Sequence, residues 1–310
     1  VITPTRRAVL LGGVAAVLAG CSAGVPPAGP AASPDRPRSA RTVLDPAALD
    51  DLERRSGRRI GLVVLDTGTG QAVRHRADTR VLMCSTAKVL IVAAILRRRL
   101  EDPGLLGRTV RYTRADLLSY APTTTRFVDT GMTVAALCEA AIVVSDNTAA
   151  NLLTGLLGGP AATTAFVRTL GDPATRLDRL EPELNETGPG DERDTSTPDA
   201  VAADLRALVV GDALDPVGRD LLLGWMDGAT TGTLQIRAGV PGDWRVGDKT
   251  GSGARGESHD IAVARPPGRA PLVIAVYTTP DDPASTNGRQ TIAEATRIAV
   301  AALPPGGPAR

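Results

Sequence analysis

"MCSTAKVLIVAAIL", residues 83–96, places a serine and a lysine three positions apart at the head of an otherwise apolar run. The run after Lys88 is apolar all round, the pattern of a helix buried inside a protein rather than lying on its surface. A cation at the buried end of such a helix needs a chemical reason, because an unpaired charge is expensive to bury. Residues at i and i+3 project to one side of a helical turn, so Ser85 and Lys88 are expected to meet. Serine alone is a poor nucleophile. A partly desolvated amine beside it can take its proton, and a helix N-terminus favours the alkoxide that develops.

The rest of the composition sharpens this reading. Of 35 Lys plus Arg, only Lys88 and Lys249 are lysines, leaving 33 arginines. Lysine can lose its proton on desolvation and arginine effectively cannot, so the two lysines are expected where arginine cannot substitute. A net charge of +1 and 2% aromatic residues leave neither a basic face nor stacking platforms, so nucleic acid is not an expected partner. There is no His-Glu-x-x-His and no Cys/His cluster, so no metal and no cofactor are expected. His75 and His259 without a Gly-x-Ser-x-Gly elbow argue against a Ser-His-Asp triad; both are read as structural or exposed.

Outward from residues 83–96, the chain of 310 residues divides by composition. Residues 1–21 read as an export signal: paired Arg6 and Arg7, an apolar stretch from Ala8 to Ala19, and "LAGC" ending at Cys21. The arginine pair resembles a twin-arginine signal and "LAGC" a lipobox, which implies a lipid anchor on Cys21, the sole membrane attachment expected. The alternative is an ordinary cleaved signal and a secreted protein. Residues 22–40, rich in Pro and Ala, read as a flexible tether.

A helix is expected from Ala47 to Arg55. A hairpin then follows from "IGLVVLD" and "QAVRHRA" about the turn "TGTG". Helical segments with short loops are expected from Ser85 to about Met226, then strands in "WRVGDKTGSG", "HDIAVAR" and "APLVIAVYT", and a closing helix over 290–302. Strands at both ends with helices between imply an α/β class: residues 41–76 and 236–305 as one discontinuous lobe, 77–235 as an inserted all-α lobe, and 306–310 as a tail. Clefts between lobes are common sites. Cys84 and Cys138 read as buried small hydrophobes, their pairing not deducible from spacing.

Two further motifs are weak alone. "SDN", Ser145 to Asn147, opens "SDNTAANLL" and reads first as helix capping. "KTGSG", Lys249 to Gly253, reads as a strand end whose glycines admit close approach of a ligand to the backbone. In this order, and consuming both lysines, Ser85-x-x-Lys88, Ser145-Asp-Asn147 and Lys249-Thr-Gly give a joint signature: the chain resembles class A β-lactamases, within the serine penicillin-recognising enzymes. The resemblance covers about residues 41–305. It extends to "RLEPELNETGPGDERDTSTP", residues 179–198, which looks like the omega loop of that class; from charge alone, Glu181 and Glu183 could equally lie in a solvated surface loop.

The resemblance implies a two-lobed β-lactamase-like fold, an antiparallel sheet flanked by helices plus the all-α insertion. It further implies hydrolysis of β-lactams through an acyl-enzyme on Ser85, and since nothing in the sequence demands more than a monomer, a monomer is expected. The backbone N–H groups of Ser85 and Ser252 would form the oxyanion hole. Lys88, directly, or Glu181 through water, would be the acylation base. Ser145 would pass a proton to the leaving nitrogen, and Glu181 with Asn185 would activate the deacylating water. Lys249, Thr250 and Ser252 would meet the substrate carboxylate, Tyr120 would wall the cleft, and Asn147 would contact the substrate side chain. Arg179 and Asp194 match the salt bridge that closes the loop.

Some relatives have an arginine at the position of Ser258, which this chain lacks, so the guanidinium contact is expected from Arg237. Ala229 stands where many relatives have asparagine. The partners that would bridge Cys84 and Cys138 in disulfide-bearing relatives are replaced by Gly253 and Val92, so carbapenem turnover is not implied. The alternatives are a D-alanyl-D-alanine peptidase or penicillin-binding protein, and a β-lactam-binding lipoprotein without turnover; "EPELN" argues against the first and the intact Ser85, Lys88, Glu181 and Lys249 against the second.

Overall fold

The computed structural model describes residues 46–186, 188 and 190–304. The export signal, Cys21, the tether and the tail at 306–310 lie outside the described residues. The described residues belong to one compact unit. Among the described residues no helix is long and apolar enough to cross a membrane.

Helix α1 (Pro46–Ser56) leads into strand β1 (Arg58–Asp66), and β2 (Ala72–His75) returns beside it. The short strand β3 (Val81–Leu82) precedes a 3-10 turn at Cys84–Ala87 and helix α2 (Lys88–Arg98). Short strands β4 (Thr109–Val110) and β5 (Met132–Thr133) precede α3 (Val134–Val143), α4 (Asn147–Leu157) and α5 (Pro160–Thr169). After β6 (Thr195–Ser196) come α6 (Pro198–Val209), α7 (Pro216–Asp227), the single turn α8 (Ile236–Gly239), β7 (Arg245–Ser252), β8 (Ser258–Arg265), β9 (Leu272–Pro280) and α9 (Gly288–Ala302).

The expectation of helices with short loops from Ser85 to Met226 needs correction. The described residues of 99–133 and 170–197 contain 3-10 turns and short strands but no α-helix. Pro103, Gly104, Gly107, Pro122 and Gly131 interrupt the first stretch, and the Thr123–Thr125 run is β-branched, so neither propensity nor an unbroken amide ladder favours helix there.

The main sheet is antiparallel in the order β2-β1-β9-β8-β7, so strands from the first and last thirds of the chain lie side by side, joined where β1 pairs with β9. The pairs Leu62↔Val276 and Val63↔Ala275 fix the register. Alternation then sends Leu62, Val64, Ile274, Val276 and Ala262 to one face against Leu49 and Leu52 of α1 and Ile292, Ala295 and Ala299 of α9. Val63, Val273, Ala275 and Tyr277 point to the other face, into a core shared with α6 and α2. Helices cover both faces, which is why β8 and β9 read as continuous apolar runs. In α2 every residue from Lys88 to Leu96 is buried, as the all-round apolar pattern predicts. That leaves the Lys88 amine to find polar partners inside the protein.

Candidate active site

The nucleophile turn is pressed against strand β7. A Cβ added at Gly251 would sit 3.0 Å from the Met83 carbonyl oxygen and 3.2 Å from the Cys84 Cβ, so any side chain there would press the strand and the turn apart. The approach brings Ser85, Thr250 and Ser252 to one cleft of about 300 Å³, lined also by Tyr120, Ser145, Asn147, Asn185, Thr231, Gln235 and Arg289. Cys84 (φ 49°) and Ser145 (φ 60°) both hold the left-handed backbone region that non-glycine residues avoid. Strain of this kind persists only where the surroundings over-determine it, and here it falls on Ser145 itself and on the residue before Ser85.

Lys88 is 1% exposed and bonds to four residues. Its Nζ donates to Asn147 Oδ1 at 2.6 Å, to the Ser145 carbonyl at 2.9 Å and to Ser85 Oγ at 2.9 Å, and pairs with Glu181 Oε1 at 2.9 Å. Burial pulls its pKa below the ordinary lysine value, against the Glu181 carboxylate, which raises it. Ser85 Oγ lies 3.3 Å from Glu181 Oε1. Ser145 Oγ sits between the two lysines, 3.2 Å from Lys88 Nζ and 3.0 Å from Lys249 Nζ. Burial, and then the nearby Lys88 charge, bring Lys249 down to about 7.

The "SDN" segment satisfies both of its readings. Asp146 caps α4 by accepting from the Ala149 N–H at 2.9 Å, and the same carboxylate accepts from the Thr123 and Thr124 N–H groups at 2.9 Å. Asn147 N–H donates to the Tyr120 carbonyl at 3.0 Å, so the loop bearing half-exposed Tyr120 is pinned to the cap. Glu181, 2% exposed, precedes a cis proline; its backbone N–H and C=O are both held by the Asn151 side chain at 2.9 Å. Asn185 Nδ2 donates to Glu181 Oε2.

Arg237 is not in this cleft, which corrects the guanidinium assignment. It pairs with buried Asp248 and donates to the Met226 and Asp227 carbonyls, both at 3.2 Å, behind β7. The cleft cation is instead Arg289, exposed at the start of α9, with no carboxylate paired to it among the described residues. It reaches the cleft because Gly288 packs against Ser258, where an added Cβ would lie 2.6 Å from the serine Cβ. Gln235, Thr231 and Asn151 were also missed. Thr231 Oγ1 and Thr250 Oγ1 are 2.7 Å apart, but no motif marks any of the three in sequence.

Neither histidine lines the cleft: His259 is fully buried against the Tyr277 ring, and burial holds its pKa down to about 3. His75 meets Asp50 and Glu53 on another face, where Arg76 takes both Glu53 oxygens. Cys84 and Cys138 are free and buried.

Comparison with known proteins agrees with this geometry. Residues 46–303 match the model of the β-lactamase enzyme family. The chain is 53% identical over 261 residues to "Beta-lactamase AST-1" of Nocardia asteroides, covering 84% of each protein. It is 44% identical over 299 residues to "Carbapenem-hydrolyzing beta-lactamase KPC" of Klebsiella oxytoca, covering 96% of this chain and 97% of that one. A solved class A β-lactamase from Mycobacterium abscessus superimposes with a TM-score of 0.81 at 56% identity, covering 83% of this chain and 98% of that one. With Ser85 in the cleft backed by buried Lys88 and Glu181, beside an antiparallel sheet and a helical layer, the chain belongs to the class A β-lactamases, serine hydrolases of β-lactams.

Proposed function

We propose that Ser85, Lys88, Ser145 and Glu181 carry the β-lactam hydrolysis in two stages, acylation and deacylation of Ser85. The observation that carries this reading is one buried amine, Lys88 Nζ, within 2.9 Å of both Ser85 Oγ and Glu181 Oε1. Direct proton transfer needs about 2.6–3.2 Å. Lys88 lies inside that reach from Ser85 Oγ, whereas Glu181 at 3.3 Å needs a bridging water or a small shift. Burial favours the neutral form of Lys88, and that amine accepts the serine proton while Glu181 stays ionised for the second stage. As the ring opens, Ser145, held between Lys88 and Lys249, passes a proton to the leaving nitrogen.

In the second stage Glu181 takes a proton from the attacking water. Asn185 Nδ2 is used on Glu181 Oε2, and its buried Oδ1 has no partner among the described residues, so that oxygen is the acceptor for the water's second hydrogen. Ser85 and Ser252 N–H groups stabilise the oxyanion, Thr250 and Lys249 meet the substrate carboxylate, Tyr120 forms the wall, and Asn147 contacts the acyl side chain. The test is hydrolysis of benzylpenicillin and a chromogenic cephalosporin: Ser85→Ala is expected to lose about 10⁶-fold in kcat, the size seen when the nucleophile of a concerted set is removed. Turnover that survived this change would overturn the assignment.

Arg289 supplies the guanidinium that meets the substrate carboxylate. Arg289→Ala is expected to lower kcat/KM about tenfold or more, the scale of one hydrogen bond to a charged group, mostly through KM. Arg237→Ala should instead cost stability, about 3 kcal/mol, because it strands the buried Asp248 carboxylate. Measuring KM and the thermal midpoint for both separates the roles; a KM effect confined to Arg237→Ala would reverse them.

Residues 41–76 with 236–305, and 77–235, are read as the two lobes beside the cleft, the protein as a monomer, and Cys21 as its lipid anchor at the extracytoplasmic face of a membrane. Supporting the lobes, every strand of the main sheet falls in the first set and α2–α7 in the second.

A further inference from the structure

We propose that Arg58 is a positioning residue for the cleft cation: its buried guanidinium holds the β7–β8 turn and the lead-in to α9 as one unit and so sets where Arg289 stands. The proposal rests on the reading of Arg289 given above. Arg58 opens β1, is 1% exposed, and donates to no carboxylate among the described residues. Taking a guanidinium out of water without an ion pair is costly, so its hydrogen bonds have to be made and kept.

Those bonds go to three separate segments. Nε donates to Thr278 Oγ1 of β9 at 3.1 Å, and that hydroxyl donates onward to the Ser258 carbonyl at 2.8 Å. Nη2 donates at 2.6 Å to the Gly256 carbonyl, in the turn between β7 and β8. Nη1 donates to Ser285 Oγ at 3.5 Å, and that hydroxyl donates at 2.7 Å to Oδ1 of Asn287, the residue before α9. A planar fork with donors on three nitrogens serves all three segments at once, whereas a lysine ammonium offers its donors from a single point.

The backbone beside Arg58 grips the same lead-in. The Gly57 carbonyl accepts from the Asp281 N–H and the Ser56 carbonyl from Asn287 Nδ2, both at 2.9 Å. Gly288, the first residue of α9, then lies against the guanidinium: a Cβ added there would be 3.1 Å from Arg58 Cζ. Arg289 is the next residue, and it lines the same cleft as Ser252 at the end of β7. Arg58 thus bonds both the turn that follows Ser252 and the segment that precedes Arg289, the two sides from which a substrate carboxylate would be held. A shift of about 1 Å in such a pair can cost about 10²-fold in rate.

The experiment measures kcat and KM for benzylpenicillin, beside denaturant melts, in Arg58→Lys, Ser285→Ala, Arg289→Ala and the two double variants that carry Arg289→Ala. Lysine keeps the buried charge without the fork. Ser285→Ala cuts one tie from the partly exposed side and leaves the buried cation in place. Arg58→Lys is expected to lower kcat/KM about fivefold and Ser285→Ala about twofold, both through KM, and neither to lower it further once Arg289 is alanine. Losses of stability should be the same with and without Arg289, which separates the positioning effect from a purely structural one.

Equal losses of kcat/KM in the two backgrounds, or an unchanged KM in Arg58→Lys, overturn the proposal. If Arg58→Lys does not fold, Ser285→Ala decides by the same comparison. Should Arg289→Ala keep the parent's KM, the reading of Arg289 fails and the positioning role with it. A KM loss in Arg289→Ala beside none in Arg58→Lys overturns the role of Arg58 alone.

Discussion

Replacing Glu181 with alanine is expected to turn steady hydrolysis into a burst of one acyl group per enzyme, with kcat reduced by about 10²–10⁴, the range for removing a general base. The asymmetry between the stages follows from the contacts. Deacylation loses the base that would take the water's proton, and Asn185 loses the Oε2 that orients its amide. Acylation keeps Lys88 at 2.9 Å from Ser85 Oγ. Glu181 is the carboxylate that raises the Lys88 pKa against burial, so its removal moves this amine further toward the neutral form that accepts a proton. Intact mass after mixing with benzylpenicillin, beside the burst amplitude with a chromogenic cephalosporin, checks the outcome. Equal losses in both stages would make Glu181 the base for acylation as well; undiminished turnover would remove it from both.

The parts of this site that were legible in sequence are those where local spacing already fixes the chemistry. Ser85 and Lys88 share a helical turn, Asp146 and Asn147 open a helix, and Lys249 and Thr250 lie on a strand whose glycine permits close approach. The strands were legible because apolar runs bounded by turn residues have few other uses in a chain of this composition. Between residues 99 and 133 the punctuation by Pro and Gly was present, but the apolar residues around it suggested helix, and tertiary contacts such as Tyr112 Oη donating to the Thr124 carbonyl at 2.7 Å hold that stretch instead.

Arg237 and Arg289 show where linear reading ends. Arg237 is near Lys249 in sequence, yet it lies behind β7 on Asp248. Arg289 is far from every motif and reaches the cleft only through the close contact of Gly288 with Ser258. No spacing encodes that contact, since it depends on how α9 closes over the sheet.

Asp194→Ala is expected to lower stability by about 3–5 kcal/mol, the cost of stripping one partner from a buried charge pair, which shifts the thermal midpoint by roughly 10 °C for a domain of this size. The Asp194 side chain is 1% exposed and accepts from the Asp178 N–H at 2.8 Å, the Arg179 N–H at 3.0 Å and Arg179 Nε at 2.5 Å. The same guanidinium donates to the Glu186 carbonyl at 2.6 Å, so the pair ties both sides of the segment that carries Glu181 and Asn185. Deacylation should therefore fall further than acylation. The Asp194 carbonyl still accepts from the Met83 N–H in the variant, because that bond is made by backbone alone.

Alanine carries a second penalty, since Asp194 has φ 57°, a conformation that aspartate tolerates better than alanine does. Asp194→Gly removes the same carboxylate and relieves the backbone, so it should be more stable than Asp194→Ala by about 1 kcal/mol, and Asp194→Asn, which keeps a neutral acceptor for the amides, should be the mildest of the three. Denaturant melts of the three variants, read beside their acylation and deacylation rates, separate loop closure from backbone strain. If glycine proved no better than alanine, the left-handed backbone would be set by the carboxylate's hydrogen bonds and would relax once they are gone.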